Sequence, residues 1–247
     1  MQKADKYNTL ERQQELLDMM KDIHSFLRSS DIKYALCGGS LLGAVRHKGF
    51  IPWDDDMDIM LDRENYKKML SNFKKCTGYS ISRELWIYRI KKASDCDTNN
   101  PPTIDIFVLD NCPDSIVCRR IKIFILQILQ GAIKKKIDYS NYSTFYKFCI
   151  FATNVLGKFF TDSFKFKIYN SVSQWGNKKS SMYSTCYNDL FKLLKVKYSK
   201  NIMLNVSLHP FEDTEFYITD LYDNYLSKQY GDYMKLPDEK DRKPIHI

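Results

Sequence analysis

Four aspartates stand within five positions, Asp54, Asp55, Asp56 and Asp58, in the stretch PWDDDMDIML. A fifth, Asp105, lies inside TIDIFVL (103–109). In an extended segment, residues two apart point to one side. Asp56 and Asp58 therefore project together while Met57 and Ile59 turn to the core. The same alternation sets Asp105 opposite Ile104 and Ile106. A carboxylate among large apolar residues is costly to bury unless a positive group meets it. A divalent cation, Mg2+ or Mn2+, suits hard oxygen donors and is often shared with substrate phosphates. The same residues could instead form an acidic strand-end patch paired with Arg46, Lys48 or Arg89, and the carboxylates alone leave both open.

Gly38-Gly39-Ser40 precedes this cluster, and Asp56 lies 16 residues after Ser40. Glycine lets an anion approach the backbone closely, a helix N-terminus favours negative charge, and Ser40 adds a hydroxyl donor. A glycine pair by itself is an ordinary turn signal. Asp54 and Asp55 read equally well as a solvated loop. Trp53 could stack on a base or anchor the entrance to the strand. His47 reads as an exposed helix-end residue. The 17 tyrosines make an aromatic cage for a quaternary ammonium conceivable without singling one out.

The elements that must position these residues follow from periodicity. Asn8 with Glu11 marks a helix start, and Leu16, Met20, Ile23 and Leu27 recur at helical spacing to about Ser29. IKYALC (32–37) reads as a strand running into the glycines, and SLLGAVR (40–46) as a short helix capped by Ser40. MDIML (57–61) is a second strand. A helix capped by Asp62 follows, burying Tyr66, Leu70 and Phe73. LWIYRIKK (85–92) and TIDIFVL are further strands. The order is that of a mixed α/β domain. From Ser115 the pattern turns helical, aromatic and basic, with Ile121, Phe124, Ile125, Ile128 and Leu129 on one apolar stripe. A last helix carries Leu221, Tyr222, Tyr225 and Leu226 on one face and stops at Gly231. The expected division is a catalytic core at 1–114, a basic helical lobe at 115–200, and a C-terminal strand and helix segment at 201–247 packing back on the core.

The 247 residues are 44% hydrophobic and 28% charged, the composition of a folded globular protein. No secretory leader is evident at Met1, and no uncharged apolar run reaches the roughly 20 residues of a membrane span. The chain is expected on the cytoplasmic side. Its seven scattered cysteines contain no C-x-x-C pair and read as reduced, mostly buried thiols. The net charge of +8 is uneven: between Cys118 and Lys179 there are 12 Lys/Arg against Asp138 and Asp162. Such a segment suits a surface-lying lobe that meets an anionic membrane or a lipid-linked acceptor. A nucleic-acid partner is disfavoured, because the segment lacks stacking motifs and a recognisable reading helix.

A Gly-Gly-Ser turn, a D-x-D strand and a later single-Asp strand together resemble the nucleotidyltransferase superfamily. GGSLLGAVRHKGFIPWDDDMDI, IDIFVLD and YGDYMKLP narrow the resemblance to the LicD family, which includes the fukutin-type phosphotransferases. It is near continuous over 34–63, clear at 104–110 and 225–237, and loose in the basic middle. The resemblance implies a nucleotidyltransferase-like mixed β-sheet core flanked by helices. It also implies transfer of phosphocholine or a polyol phosphate from CDP-choline or a CDP-polyol to a hydroxyl of a surface glycan, whether lipopolysaccharide, teichoic acid or capsule. Asp56 and Asp58 would hold Mg2+ or Mn2+, with Asp105 as third ligand or general base. Gly38, Gly39 and Ser40 would cradle the phosphates, and Arg46 and Lys48 would neutralise the leaving nucleotide. A nucleotidyltransferase that releases pyrophosphate from an NTP would use the same carboxylates and is the alternative.

Overall fold

The computed structural model describes residues 5–95, 98–134, 144–177 and 180–244. The first elements are α1 (Leu10–Ser29), β1 (Ala35–Leu36), α2 (Gly38–His47), β2 (Met57–Asp62) and α3 (Arg63–Asn72). Then come β3 (Tyr79–Glu84), β4 (Ile87–Lys92), β5 (Ile104–Asn111), α4 (Ile116–Ile133), α5 (Thr144–Gly157) and α6 (Asp162–Gln174). The last are β6 (Tyr183–Cys186), β7 (Tyr198–Ser199), β8 (Val206–Phe211), β9 (Thr214–Thr219) and α7 (Tyr222–Tyr230). They form two units: Met1–Ser82 with Tyr88–Val108 and Asn201–Ile247, and Arg83–Ile87 with Leu109–Lys200.

In the first unit the strand order is β1-β2-β5-β4-β3. Strands β1 and β2 are antiparallel, with Leu36 opposite Ile59, and β4 and β5 are antiparallel, with Arg89 opposite Asp105. The result is the expected mixed α/β fold with helices flanking a sheet. Helix α1 buries Leu16, Met20, Ile23 and Leu27. Its start differs from the Asn8/Glu11 expectation. Thr9 is the N-cap without a side-chain bond, and the Asp5 carboxylate accepts from the amides of Thr9 (2.9 Å) and Leu10 (3.3 Å). The Thr9 hydroxyl is drawn away to the Pro52 carbonyl at 2.8 Å.

Asp62 caps α3 as expected, accepting from Asn65 N at 2.8 Å. Tyr66 and Met69 are buried, Phe73 packs edge-on against Phe26, and Leu70 is 42% exposed instead of buried. At about 100° per residue, Tyr66, Met69 and Phe73 fall on one stripe and Leu70 on its outer edge. The strand expected in the 201–247 segment is a β8–β9 hairpin, which the sequence does not mark; its two-residue turn, Glu212-Asp213, puts Glu212 at φ 52°. Helix α7 buries Tyr225 and Leu226 and stops at Gly231, whose φ is 68°.

In the second unit β6 pairs with the end of β5 and with β7. Trp86, Leu126, Ile133, Tyr169, Tyr187 and Leu194 build its core with Cys112. The stripe read on α4 faces mostly outward, with Leu129 packed on the core and Ile125 half-buried. Lys122, Leu126, Gln130 and Ile133 are buried, while Ile121, Phe124 and Ile128 are exposed. The inward nitrogens find acceptors, whereas Gln130 Oε1 is buried without a hydrogen-bond partner. Lys122 Nζ donates to the Trp175 carbonyl (2.9 Å) and lies 3.7 Å from the Tyr187 ring centre. Gln130 Nε2 donates to the Asp189 carbonyl (2.8 Å) and the Tyr169 hydroxyl (3.0 Å). Cys37, Cys76, Cys112 and Cys186 are buried free thiols. Among the described residues, no helix is long and apolar enough to cross a membrane.

Candidate active site

Gly38 and Gly39 lie inside the first turn of α2, with Cys37 as N-cap. Ser40 is therefore not a cap. Its buried hydroxyl accepts from Asp58 N at 2.8 Å and fastens the helix to β2, as does the Cys37 N to Asp58 carbonyl bond at 3.1 Å. The two glycines have a specific reason to lack side chains. A Cβ on Gly38, where φ is 53°, would overlap Asp58 Oδ2. One on Gly39 would come 2.6 Å from Asp54 Oδ2. Two carboxylates thus stand against the positive end of one helix. The Gly38 amide is already used, donating to the Tyr225 hydroxyl at 3.2 Å, which also receives Gln229 Nε2 at 2.9 Å.

Asp54 belongs to this corner, although its sequence context read equally as solvated loop. Burial, then the charges of Asp56 and Asp55, hold its carboxyl well above the ordinary range, and its side chain is hydrogen-bonded to Asp56. Crowding of this kind is relieved by a shared proton or by a cation. Asp55 is buried. Among the described residues, no three His, Cys, Asp or Glu side chains are drawn together as a ligand group. The donors present are nonetheless all carboxylate oxygens, the type that Mg2+ or Mn2+ takes.

Asp105 sits on β5, the neighbour of β2, buried, with its Oδ1 2.9 Å from Arg89 Nε. The acid–base partner considered from sequence, Arg89, is thus the one the sheet register brings to it. The segments bearing the acids are pinned by α1, which the sequence reading gave no functional part. Arg12 donates from Nε to the Asp55 carbonyl (2.6 Å), from Nη1 to that of Asn100 (2.9 Å) and from Nη2 to that of Pro101 (3.1 Å). Gln13 Nε2 donates to the carbonyls of Ile51 (3.1 Å) and Asp54 (2.7 Å).

Beside the corner opens a cavity of about 520 Å³, walled by Gly39, Arg46, Trp53 and Asp54 on one side and by Tyr230 to Asp238 on the other. Arg46 lies in this wall and donates from Nη1 to the Tyr233 carbonyl at 2.8 Å; burial lowers its pKa. Lys48 is elsewhere. It is the exposed C-cap of α2 and is not among the residues that wall this cavity. Trp53 meets Tyr7 and His47 edge-on, with the Arg242 guanidinium 5.7 Å from its ring centre. His47 is half-buried rather than exposed. His246 lies outside the described residues.

Residues 31–111 match the family model described as LicD/FKTN/FKRP, nucleotidyltransferase domain. They contain α2, β2 and the whole of β5, which carries Asp105. The chain is 29% identical over 261 aligned positions to the lipopolysaccharide cholinephosphotransferase LicD of Haemophilus influenzae, covering 96% of each chain. It is also 44% identical over 72 residues to an uncharacterized protein of Rickettsia prowazekii, a match covering 28% of this chain and 27% of the relative. An uncharacterized protein of Rickettsia typhi is 46% identical over 69 residues, 27% of this chain and 22% of that one. By the domain match at 31–111 and the end-to-end similarity, this chain resembles the LicD family.

Proposed function

We propose that the protein transfers phosphocholine from CDP-choline to a hydroxyl of a cell-surface glycan precursor of the lipopolysaccharide kind, with a CDP-polyol as the related donor. The likeness to a cholinephosphotransferase supports reading it as a transferase of phosphorus-containing groups. The observation that carries the reading is the corner where Gly38 and Gly39 admit Asp58 and Asp54 to the head of α2. Its support is the full-length likeness to a lipopolysaccharide cholinephosphotransferase. Phosphates drawn to that helix end would meet two carboxylates, so a cation has to stand between them. Asp56 and Asp58 would hold Mg2+ or Mn2+, with Asp54 beside them. The ion would neutralise the diphosphate and its developing charge.

The chain's own groups then act around the diphosphate. Gly38, Gly39 and Ser40 cradle it, the Tyr225 hydroxyl marking the position of one accepting oxygen. Arg46, in the cavity wall, offsets charge on the departing nucleotide; Lys48, at the far end of α2, is left out of the cradle. Asp105 takes the proton of the acceptor hydroxyl, or serves as third ligand. The new bond joins the acceptor oxygen to the phosphorus bearing choline, the bond from that phosphorus to the bridging oxygen breaks, and CMP leaves. The acceptor reaches the protein at the inner face of the cell membrane, lipid-linked.

Product analysis tests this. Purified protein with Mg2+, CDP-choline and a glycan acceptor should release CMP in step with phosphodiester formation. Pyrophosphate from CTP and a phosphorylated small molecule, with no CMP from any CDP-linked donor, would assign nucleotidyl transfer instead.

A further inference from the structure

Helices α5 and α6 are joined by Lys158-Phe159-Phe160-Thr161, a turn that exposes two phenylalanines between Lys158 and Thr161. Phe159 is 79% exposed, Leu156 62% and Phe160 53%. Phe160 stacks on Phe164, itself half exposed, with ring centres 5.5 Å apart. Water-facing turns seldom carry such a cluster, and exposed apolar patches of this kind mark contact surfaces.

Three observations say what meets it. The backbone of the turn is closed on itself: the amides of Lys158, Phe159 and Phe160 donate to the carbonyls of Val155 (3.1 Å), Leu156 (3.3 Å) and Gly157 (3.2 Å). A segment with its amides satisfied internally can enter an apolar medium without stranding them. The charge flanking the turn is positive: Lys158 and Lys167 are exposed, and the acids of the wider 118–179 segment are Asp138 and Asp162. One of those acids, Asp162, is paired with Lys165 at 2.8 Å. Lastly, no helix among the described residues is able to span a bilayer, so insertion would stop at the interface. We infer that the α5–α6 turn is a membrane-docking tip, its phenylalanines entering the headgroup boundary of an anionic bilayer while the flanking lysines hold lipid phosphates. A protein groove would equally take the phenylalanines, but the one-sided charge favours an anionic lipid surface.

The full chain should sediment with vesicles of phosphatidylglycerol and phosphatidylcholine at least about tenfold better than with phosphatidylcholine alone, and lose binding at high salt. The F159S/F160S pair should lose binding by about tenfold or more while keeping its circular dichroism and unfolding midpoint. Its CMP release with a soluble acceptor should also be unchanged. No nucleotide enters the vesicle assay, so docking and the transfer reading fail independently. Equal partition to both vesicles, binding to neither, or a double variant that binds like the parent would overturn the inference.

Discussion

The Asp58 carboxylate fills the space that a side chain at Gly38 would need, so helix α2 can lie against strand β2 only with glycine there. Gly38→Ala meets two penalties, the positive φ of 53° and the overlap with Oδ2. Gly78 supplies the control, since its φ is 84° and nothing lies within 4 Å of its Cβ position. Gly78→Ala should cost about 1–2 kcal/mol of stability with turnover intact. Gly38→Ala should cost more and lower turnover about a hundredfold, the scale for displacing a reacting group by about 1 Å. Unfolding curves beside steady-state rates separate the two.

Asp56→Asn and Asp58→Asn should each remove turnover by on the order of a hundredfold or more, as when one electrostatic contact to developing charge is lost. Both should fold. Metal-free Asp56→Asn should unfold at a slightly higher temperature than the parent, because Asp56 charge raises the Asp54 pKa. Added Mg2+ should raise the midpoint of the parent but not of the variants. Equal Mg2+ shifts in all three proteins would refute the ligand assignment.

Arg12 holds the carbonyls of Asp55, Asn100 and Pro101 with one planar fork. Arg12→Ala should cost about 2–3 kcal/mol of stability. Its kcat should fall, since both acid-bearing segments lose their anchor. Arg12→Lys should rescue little, because a lysine ammonium cannot copy the fork. Full rescue by lysine would show that charge alone matters there.

Burial lifts the Asp189 carboxyl to about 7. Against its ordinary value of about 3.9, the folded state keeps a proton that the unfolded chain releases. Stability therefore falls as pH rises from about 4 to 7 and levels off above. Asp189→Asn keeps an oxygen for the Leu190 amide, now 2.6 Å from Asp189 Oδ1, and removes the titration. At pH 8 the variant should be more stable by up to about 4 kcal/mol, and near pH 4 the two should nearly coincide. Denaturant melts across this range check the sign.

What could be read in the sequence is what local pattern encodes. Alternation put Asp58 and Asp105 on strands, and the structure has them on β2 and β5. The glycine pair was visible, but its reason, two carboxylates closing on it, depends on residues 20 and 15 positions away. Arg12 left no trace because its partners are backbone carbonyls 43, 88 and 89 positions distant. Helix α4 misled because both its faces are apolar, and tertiary partners for Lys122 and Gln130 decided which turned inward. A strand was expected in the C-terminal segment, but its form as the β8–β9 hairpin was hidden by Pro210 within a strand and by a Glu-Asp turn lacking the glycine or asparagine that positive φ usually selects.

Isotope position shows whether the choline-bearing phosphorus is the one transferred. CDP-choline labelled at that phosphorus, incubated with the protein, Mg2+ and acceptor, should deliver its label to the glycan and leave CMP unlabelled. Label recovered in CMP or pyrophosphate, or glycan labelled only from the cytidine-side phosphorus, would contradict the account.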